Sequence, residues 1–590
     1  MKKESFIPTL ALLGLALFLS MGLKAQNTPT VLDVTRSIAD KVVRETSFDY
    51  QMVPLAYNAG ITRFALEGSS AAVEGDIYYA YGKLNSDAGA RGLLGFSFSG
   101  HIRIFLNGEE VFEGSSERVM VKEYTYNRYG FQRVIHVDWK AGENALLVKW
   151  VTGERDAGVP GEFLMLPVDE LDAKAAHVNA LPVTETMPNC YWLTSGPWRT
   201  GSNAAMDQVL PPEKGFSDHY NHKGSMMAWE YEAAPLLREL VVPESNSYTR
   251  DPYGDWHYAN GGTMLAILSL YKTTGDPVYL DFVQKFAANM LENDEWFRWQ
   301  YFNLHAVRGS FHRINRMTML DDSGGPALPY AELQVLDPET EIYKELLDRN
   351  FDYVMNRQER LDDQTFSRPE PEPATIWADD LFMSVPFLLR MAKINQDPSL
   401  YDEVARQVIQ FNSYLLDESS GLYFHGWYNE RGENTPIRWG RANGWVIWAT
   451  SEALMELPKK HPDYRKILKI YRRHMEALAA VQDQSGMWHQ VLDQSETFEE
   501  SSCTAMFTLG MARGVRMGWL NKSYGPKALR GWEALQGKIR ADGTVIDICR
   551  GTGIGDDADF YENRKRFDHD PRGLGAMITA GCEIHLLENQ

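Results

Sequence analysis

The sequence predicts two domains, an N-terminal all-β sandwich of jelly-roll type followed by an all-α toroid of six helical hairpins. Three observations lead there. The chain has 590 residues, too many for one ordinary domain. Between about 30 and 175 it carries short runs at strand spacing, rich in β-branched and aromatic residues. Beyond about 223 five turn prolines, Pro277, Pro338, Pro398, Pro462 and Pro526, recur 61, 60, 64 and 64 residues apart, the length of two helices and two loops. The expected boundaries are an export signal over 1–25, the β-sandwich over 26–180, a linker over 181–222 and the helical domain over 223–590.

At the N-terminus Lys2 and Lys3 precede an apolar run from Ile7 to Leu23, and Ala25 offers a small residue for cleavage before Gln26. The run is broken by Pro8 and Ser20 and is short for a membrane span, so a cleavable signal and a periplasmic or secreted destination are expected. No later segment approaches a transmembrane length, and no membrane partner is expected. Cys190, Cys503, Cys549 and Cys582 are too few and scattered for a disulfide scaffold or a zinc site. The net charge of -21 argues against nucleic acid as a partner. It leaves room for an acidic sugar if basic residues gather in the site.

The strand candidates are Ile77 to Leu84, Leu93 to Ser99, Ile102 to Leu106, Glu110 to Phe112, Val134 to Trp139 and Ala145 to Trp150. Asn107-Gly108 between two of them signals a hairpin turn. Trp139 and Trp150 are candidates for stacking on pyranose rings or for packing a core. Pro182 to Glu213, with its Pro, Gly and Asn, reads as linker. Helices follow: an opening one from about Ser225 to Leu240, lead-in helices beginning near Asn260, Pro326, Asp380, Asn443, Ser502 and Arg572, and one after each turn proline. Twelve helices in six hairpins can close on themselves, which removes the exposed ends of an open solenoid.

The residues just before the lead-in helices share a character. They are Trp256-His257-Tyr258, Asp321-Asp322-Ser323-Gly324-Gly325, Trp377-Ala378-Asp379-Asp380, Trp439-Gly440-Arg441-Ala442-Asn443-Gly444-Trp445, Glu500-Ser501-Ser502 and Asp570-Pro571-Arg572. At one phase of the repeat these clusters fall on one rim, at helix N-termini whose free N–H groups favour an anionic ligand. Asp379 and Asp380 read either as a helix cap or as an acid raised by a like charge and apolar walls. Glu499-Glu500 reads as a helix-start cap, and His489 as core or support.

The motifs WHYANGG, LYKTTGD, IWADDLFMSVPFL, LYFHGWYNE, WGRANGWV, ESSCTAMF, DICRGTGIG and DPRGLGAM, in this order from Asp255 to Leu587, resemble glycoside hydrolase family 105, the unsaturated uronyl hydrolases related to family 88. The resemblance implies a six-hairpin α/α barrel that removes a 4,5-unsaturated uronic acid from the non-reducing end of lyase-made oligosaccharides. It implies Asp379 as catalytic acid and Asp321, or else Asp322, as second carboxylate. His425 matches the site histidine, and Trp439, Arg441 and Trp445 the stacking and carboxylate-binding positions; Trp256, His257 and Asp380 join them as candidate substrate contacts. The stretch before Trp377 departs from the family in lacking its His or Lys, with Arg368 as a stand-in. The bland alternatives are a packed His425 and an Arg441 paired with Glu430 or Asp493. Hydration of an enol ether needs one acid protonated in the resting site and no metal or other cofactor, and no His/Asp set stands at ligand spacing. Two other functions fit the same residues: an inverting Asp321/Asp379 pair acting on saturated uronic-acid glycosides, and a sugar-binding protein without catalysis.

Overall fold

Helix α1, Val31–Glu45, departs at once from the expected order, because a helix precedes the strands. Thr30 and Asp33 form a capping box at its start, and Thr35, Ile38, Ala39 and Val42 make one buried face. The computed structural model describes residues 29–55, 62–65, 75–116, 131–151, 162–168, 178–183, 189–198, 219–222, 225–228, 230–243, 252–306, 309–369 and 371–590. The expected export signal lies outside the described residues.

Among the described residues the β region holds two large antiparallel sheets. In the larger, the strand order is Glu230–Ala233, Cys190–Trp198, Ile77–Ser86, Gly142–Val151, Gly100–Leu106 and Glu109–Ser116, with Val178–Leu181 also pairing to Ile77–Ser86. The smaller runs Thr62–Ala65, Glu162–Val168, Ala90–Phe98 and Arg133–Trp139. Phe96, Phe98, Val137 and Phe163 of one sheet and Ile102, Ile104, Val148, Trp150 and Trp192 of the other share one apolar core. All six expected strands are present, and Asn107 and Gly108, at φ 54° and 87°, make the expected turn. Trp139 and Trp150 are packed inside.

Two expectations fail here. The supposed linker contains Cys190–Trp198, a strand held between two neighbours of the larger sheet. The supposed opening helix is three strands, Ser225–Ala228, Glu230–Ala233 and Leu236–Leu240. The last of them pairs with Tyr50–Pro54, a partner the local sequence does not announce.

Eleven more long helices follow. Six form an inner ring: α2 (Tyr258–Thr274), α4 (Gly324–Leu336), α6 (Asp380–Ile394), α8 (Gly440–Glu456), α10 (Ser501–Arg516) and α12 (Pro571–Glu588). Each packs on the next, and α12 packs on α2, so the ring closes. They are buried nearly all round, as suits helices surrounded by protein. Their approach is close: a Cβ on Gly261 of α2 would stand 2.1 Å from the Gly325 carbonyl oxygen of α4. Outer helices α3 (Pro277–Asn303), α5 (Lys344–Asp352), α7 (Ser399–Leu415), α9 (Tyr464–Ala480) and α11 (Gly525–Gln536) follow the turn prolines. Asp276 caps α3 with Pro277 in its first turn, as expected. The sixth outer helix is α1, packed on α12. Among the described residues the inner ring and its outer layer thus use twelve long helices, but the expected opening helix over Ser225 to Leu240 is not one of them, and α1 from the N-terminal end stands in its place. Among the described residues, no helix is long and apolar enough to cross a membrane.

Candidate active site

Asp379 and Asp380 at the start of α6 and Asp321 just before α4 make a cluster of carboxylates, and local pairing explains part of it. Strand Thr375–Trp377 pairs with Gly426–Tyr428, with Trp377 opposite Gly426. The Ala378 N–H donates to the His425 carbonyl oxygen (3.0 Å), which sets the start of α6 beside His425. Asp379 occupies the N-cap position of α6, yet its side chain makes no capping bond. Instead its Oδ2 faces His425 Nε2 at 3.2 Å, while His425 Nδ1 faces the Tyr561 hydroxyl at 2.7 Å.

A second carboxylate group lies alongside. Arg368 donates through Nε and Nη2 to both oxygens of Asp380, each at 2.7 Å, and through Nη2 to Asp321 Oδ1 at 2.9 Å. The guanidinium also lies 4.4 Å over the Trp377 ring. Asp380 is fully buried, whereas Asp321 and Asp379 each keep 14% of their side-chain surface. These two are the carboxylates that solvent reaches. Asp322 is not one of them: wholly buried, it is forked by Arg316, with Nε to Oδ2 at 2.6 Å. Of the two candidates, Asp321 is thus the one that solvent reaches.

The titration of these groups differs from the sequence expectation. Burial would raise the Asp379 carboxyl, but the His425 hydrogen bond and the charges of Arg368 and Arg441 outweigh it and hold Asp379 below its ordinary range. The like charge of Asp380, expected to raise it, is largely cancelled by Arg368. Burial pushes Asp321 up to about 6, with Asp380 and Asp379 adding to the rise and Arg368 opposing it. Burial likewise raises Asp380. His425 is lowered by burial and stays neutral near neutral pH.

The remaining candidates sort into contacts and supports. Trp439 is buried beneath His425, ring centroids 4.6 Å apart, and Arg441 lies 4.5 Å over Trp439. Arg441 is also buried, and its guanidinium is committed to the backbone carbonyls of Cys549 and Arg550 (2.6 Å to the latter). It is neither an exposed carboxylate clamp nor a partner of Glu430 or Asp493; Asp493 pairs with Arg438. Trp445 packs between Phe382, Trp448 and Tyr258 inside the ring. Trp256 is core, its Nε1–H donating to the Asp322 carbonyl at 2.7 Å. His257 caps α2 by accepting from the Ala259 N–H. Asp380, Asp322, Trp256 and Trp445 thus serve the frame, because burial removes them from any ligand. Glu500 caps α10 as expected, accepting from the Ser502 and Cys503 N–H groups, and it also holds the Cys549 N–H. Tyr561, which the sequence reading missed, carries no motif of its own. The four cysteines are buried, and no cluster able to hold a metal ion occurs among the described residues.

Residues 240–587 match the model of Glycosyl Hydrolase Family 88. The chain is 30% identical over 251 residues to the unsaturated rhamnogalacturonyl hydrolase YesR of Bacillus subtilis, covering 41% of this chain and 70% of that one. It is 31% identical over 215 residues to an unsaturated 3S-rhamnoglycuronyl hydrolase of an Alteromonas species, covering 35% of this chain and half of the relative. Among solved structures, a possible member of the GH105 family from Salmonella enterica superposes with a TM-score of 0.51 at 23% identity, over 58% of this chain and 85% of that one. A family 105 glycoside hydrolase of Clostridium acetobutylicum gives 0.50 at 25%, over 57% and 95%.

Proposed function

The chain belongs to glycosyl hydrolase family 88 and is a glycoside hydrolase, and from that premise we propose that it removes a 4,5-unsaturated uronic acid from the non-reducing end of lyase-made oligosaccharides. The fold proposed for this is the six-hairpin α/α barrel, preceded by a β-sandwich, with export to the periplasm or the medium. One observation carries the reading: two solvent-reached carboxyls, Asp379 and Asp321, lie in the field of the one Arg368 guanidinium, and their surroundings push their proton affinities apart.

The chemistry follows. The substrate is an enol ether; protonation at C4 leaves an oxocarbenium-like centre at C5, water adds there, and the hemiketal opens to release the remaining chain. Asp379 rests as an anion on the His425 Nε2–H. A bound uronate carboxylate brings a like charge close by, which raises Asp379 and lets it take up the proton that it passes to C4. The carboxylate left behind then accepts a proton from the attacking water. Asp321, pushed up to about 6 by burial, holds a proton close by. The buried charges of Arg368 and Arg441 and the helix N-termini favour an acidic ligand. YesR and the Alteromonas relative are named for this class of substrate, which supports the choice.

The test is the ultraviolet absorbance of the conjugated enol ether, followed on adding lyase-made disaccharide. Loss of absorbance is expected, and Asp379→Asn lowers turnover by about 10²- to 10⁴-fold while binding stays within a few-fold. Unchanged absorbance with new reducing ends would assign the site to saturated glycosides instead.

A further inference from the structure

The His425 ring has two partners, and only one placement of its proton satisfies both. The Tyr561 hydroxyl oxygen accepts from the Gly555 N–H at 2.9 Å and faces His425 Nδ1 at 2.7 Å. A phenol has one proton, and the Gly555 N–H already supplies a donor to its oxygen. The Tyr561 proton therefore goes to Nδ1, which must be the unprotonated nitrogen. We propose that Tyr561 is the positioning residue that fixes the tautomer of His425, placing the ring proton on Nε2, where it faces Asp379.

The opposite tautomer is penalised twice. It would aim the Nε2 lone pair at the Asp379 carboxylate, and it would leave the Tyr561 proton with no acceptor in a buried place. Burial raises Tyr561, so the phenol keeps its proton across the working range. The ionisable groups around the relay are Asp379, Arg368 and Arg441 on the His425 side, with Asp321 and Asp380 beyond them. Tyr428 and Asp556 face Tyr561. None of them can replace the hydroxyl at Nδ1, because the hydrogen bonds of Asp380 and Arg441 go elsewhere.

The relay also reaches the wall of the site. Gly555 ends the segment 550–555, which Arg441 holds through the Cys549 and Arg550 carbonyls and Arg564 holds through the Gly551 carbonyl (2.6 Å). In that segment Gly553 stands against Trp377 and Ile554 against Gly426. Tyr561 thus ties the orientation of the Asp379 partner to the position of this wall. Its role rests on the hydrolase reading for its consequence, though not for its geometry.

Two measurements test this. In the substrate-free protein, labelled with 15N-histidine, the His425 resonance (assigned by its absence in His425→Asn) should show Nε2 protonated and Nδ1 bare. Protonation at Nδ1 would overturn the proposal whatever the enzyme acts on. In Tyr561→Phe, which keeps the ring, kcat on the unsaturated disaccharide should fall about 10- to 100-fold, the size of one lost hydrogen bond in a chain that ends on a charge. KM should stay within about three-fold. Deprived of its fixed donor, Asp379 rises, so the limb of kcat that falls with increasing pH should move upward by about one unit. An unmoved pH profile with a lower melting temperature would mean that Tyr561 only packs, and would sink the proposal. Should Tyr561→Phe fail to fold, the wild-type resonance still decides. A protonated Nε2 in a protein that leaves the disaccharide intact would refute the hydrolase reading and leave this one standing.

Discussion

Arg368→Met isolates the electrostatics of the site. Methionine keeps most of the packing on Trp377 but removes the cation shared by Asp380 and Asp321. Breaking a buried ion pair by deleting one partner costs about 3–5 kcal/mol, because the partner charge is left unpaired. For a unit of this size that is a fall of roughly 5–10 °C in melting temperature at pH 8. The sign of the pH dependence follows from the raised groups. Asp321, folded near 6 against an unfolded value near 3.8, adds stability that is complete below the unfolded pKa and is lost as pH rises through the folded one. Without Arg368, which opposes that rise, Asp321 and Asp380 move higher still, and a proton relieves the unpaired charge over a wider range. The defect should therefore shrink by about half or more at pH 5. Thermal unfolding of variant and wild type, followed by tryptophan fluorescence at pH 5 and pH 8, measures it. An equal defect at both values, or one below about 1 kcal/mol, would show that the Arg368 pairs carry little of the local balance.

Two other variants separate chemistry from framework. Asp321→Asn, which removes the proton held beside Asp379, should lower kcat/KM about 10- to 100-fold at pH 5.5, read from the loss of the substrate's ultraviolet absorbance. Glu452→Ala, at the far ends of the inner helices, leaves Arg390 and Arg513 without their shared carboxylate. It should cost about 3–5 kcal/mol in urea unfolding while the KM of the folded protein is unchanged.

The repeat was legible because its signals are local. Inner helices start within a few residues of the places set by cap, proline and apolar run, since each helix end must satisfy its own N–H groups. Helix α1 was illegible as a barrel member because its partner, α12, lies some five hundred residues away. Leu236–Leu240 fails for the same reason: its partner strand precedes the whole β region. Of the site candidates, Asp379 and His425 come to lie 3.2 Å apart, but the direction of the Asp379 shift was not legible. Adjacency to Asp380 suggested a raised acid, and only the fold reveals that Arg368 neutralises that neighbour while His425 supports the anion. The aromatic and charged clusters do fall at one end of the ring, yet Trp256, Trp445 and Asp322 are buried within it. A cluster before a helix marks where a site lies without saying which members face the ligand.

The opposite end of the ring shows what the sixty-residue spacing is also for. Lys272, Glu332, Arg390, Glu452, Arg513 and Glu583 sit near the C-terminal ends of the six inner helices, one on each, and their signs alternate. Neighbouring helices are joined through them: Lys272 to Glu332, Glu332 to Arg390, Arg390 to Glu452 at 3.4 Å, Glu452 to Arg513 at 2.8 Å, and Arg513 to Glu583 at 2.7 Å. A helix C-terminus favours cations, so three glutamates there would be misplaced singly. Alternation removes the difficulty, since each glutamate lies against cations of the adjoining helices. For Glu332, burial works against ionisation, yet Arg390 and Lys272 outweigh it and bring the carboxyl down to about 2. Inner helices that are buried on nearly every side have little in their apolar packing alone to fix their rotation or their sliding. Alternating buried charges supply that register, because a helix displaced by one turn would leave two neighbours with unpaired charge. The repeat thus carries two features in opposite phases: helix starts bear the Asp321, Asp379 and Asp380 carboxylates, and helix ends bear the alternating charges that hold neighbouring helices in register.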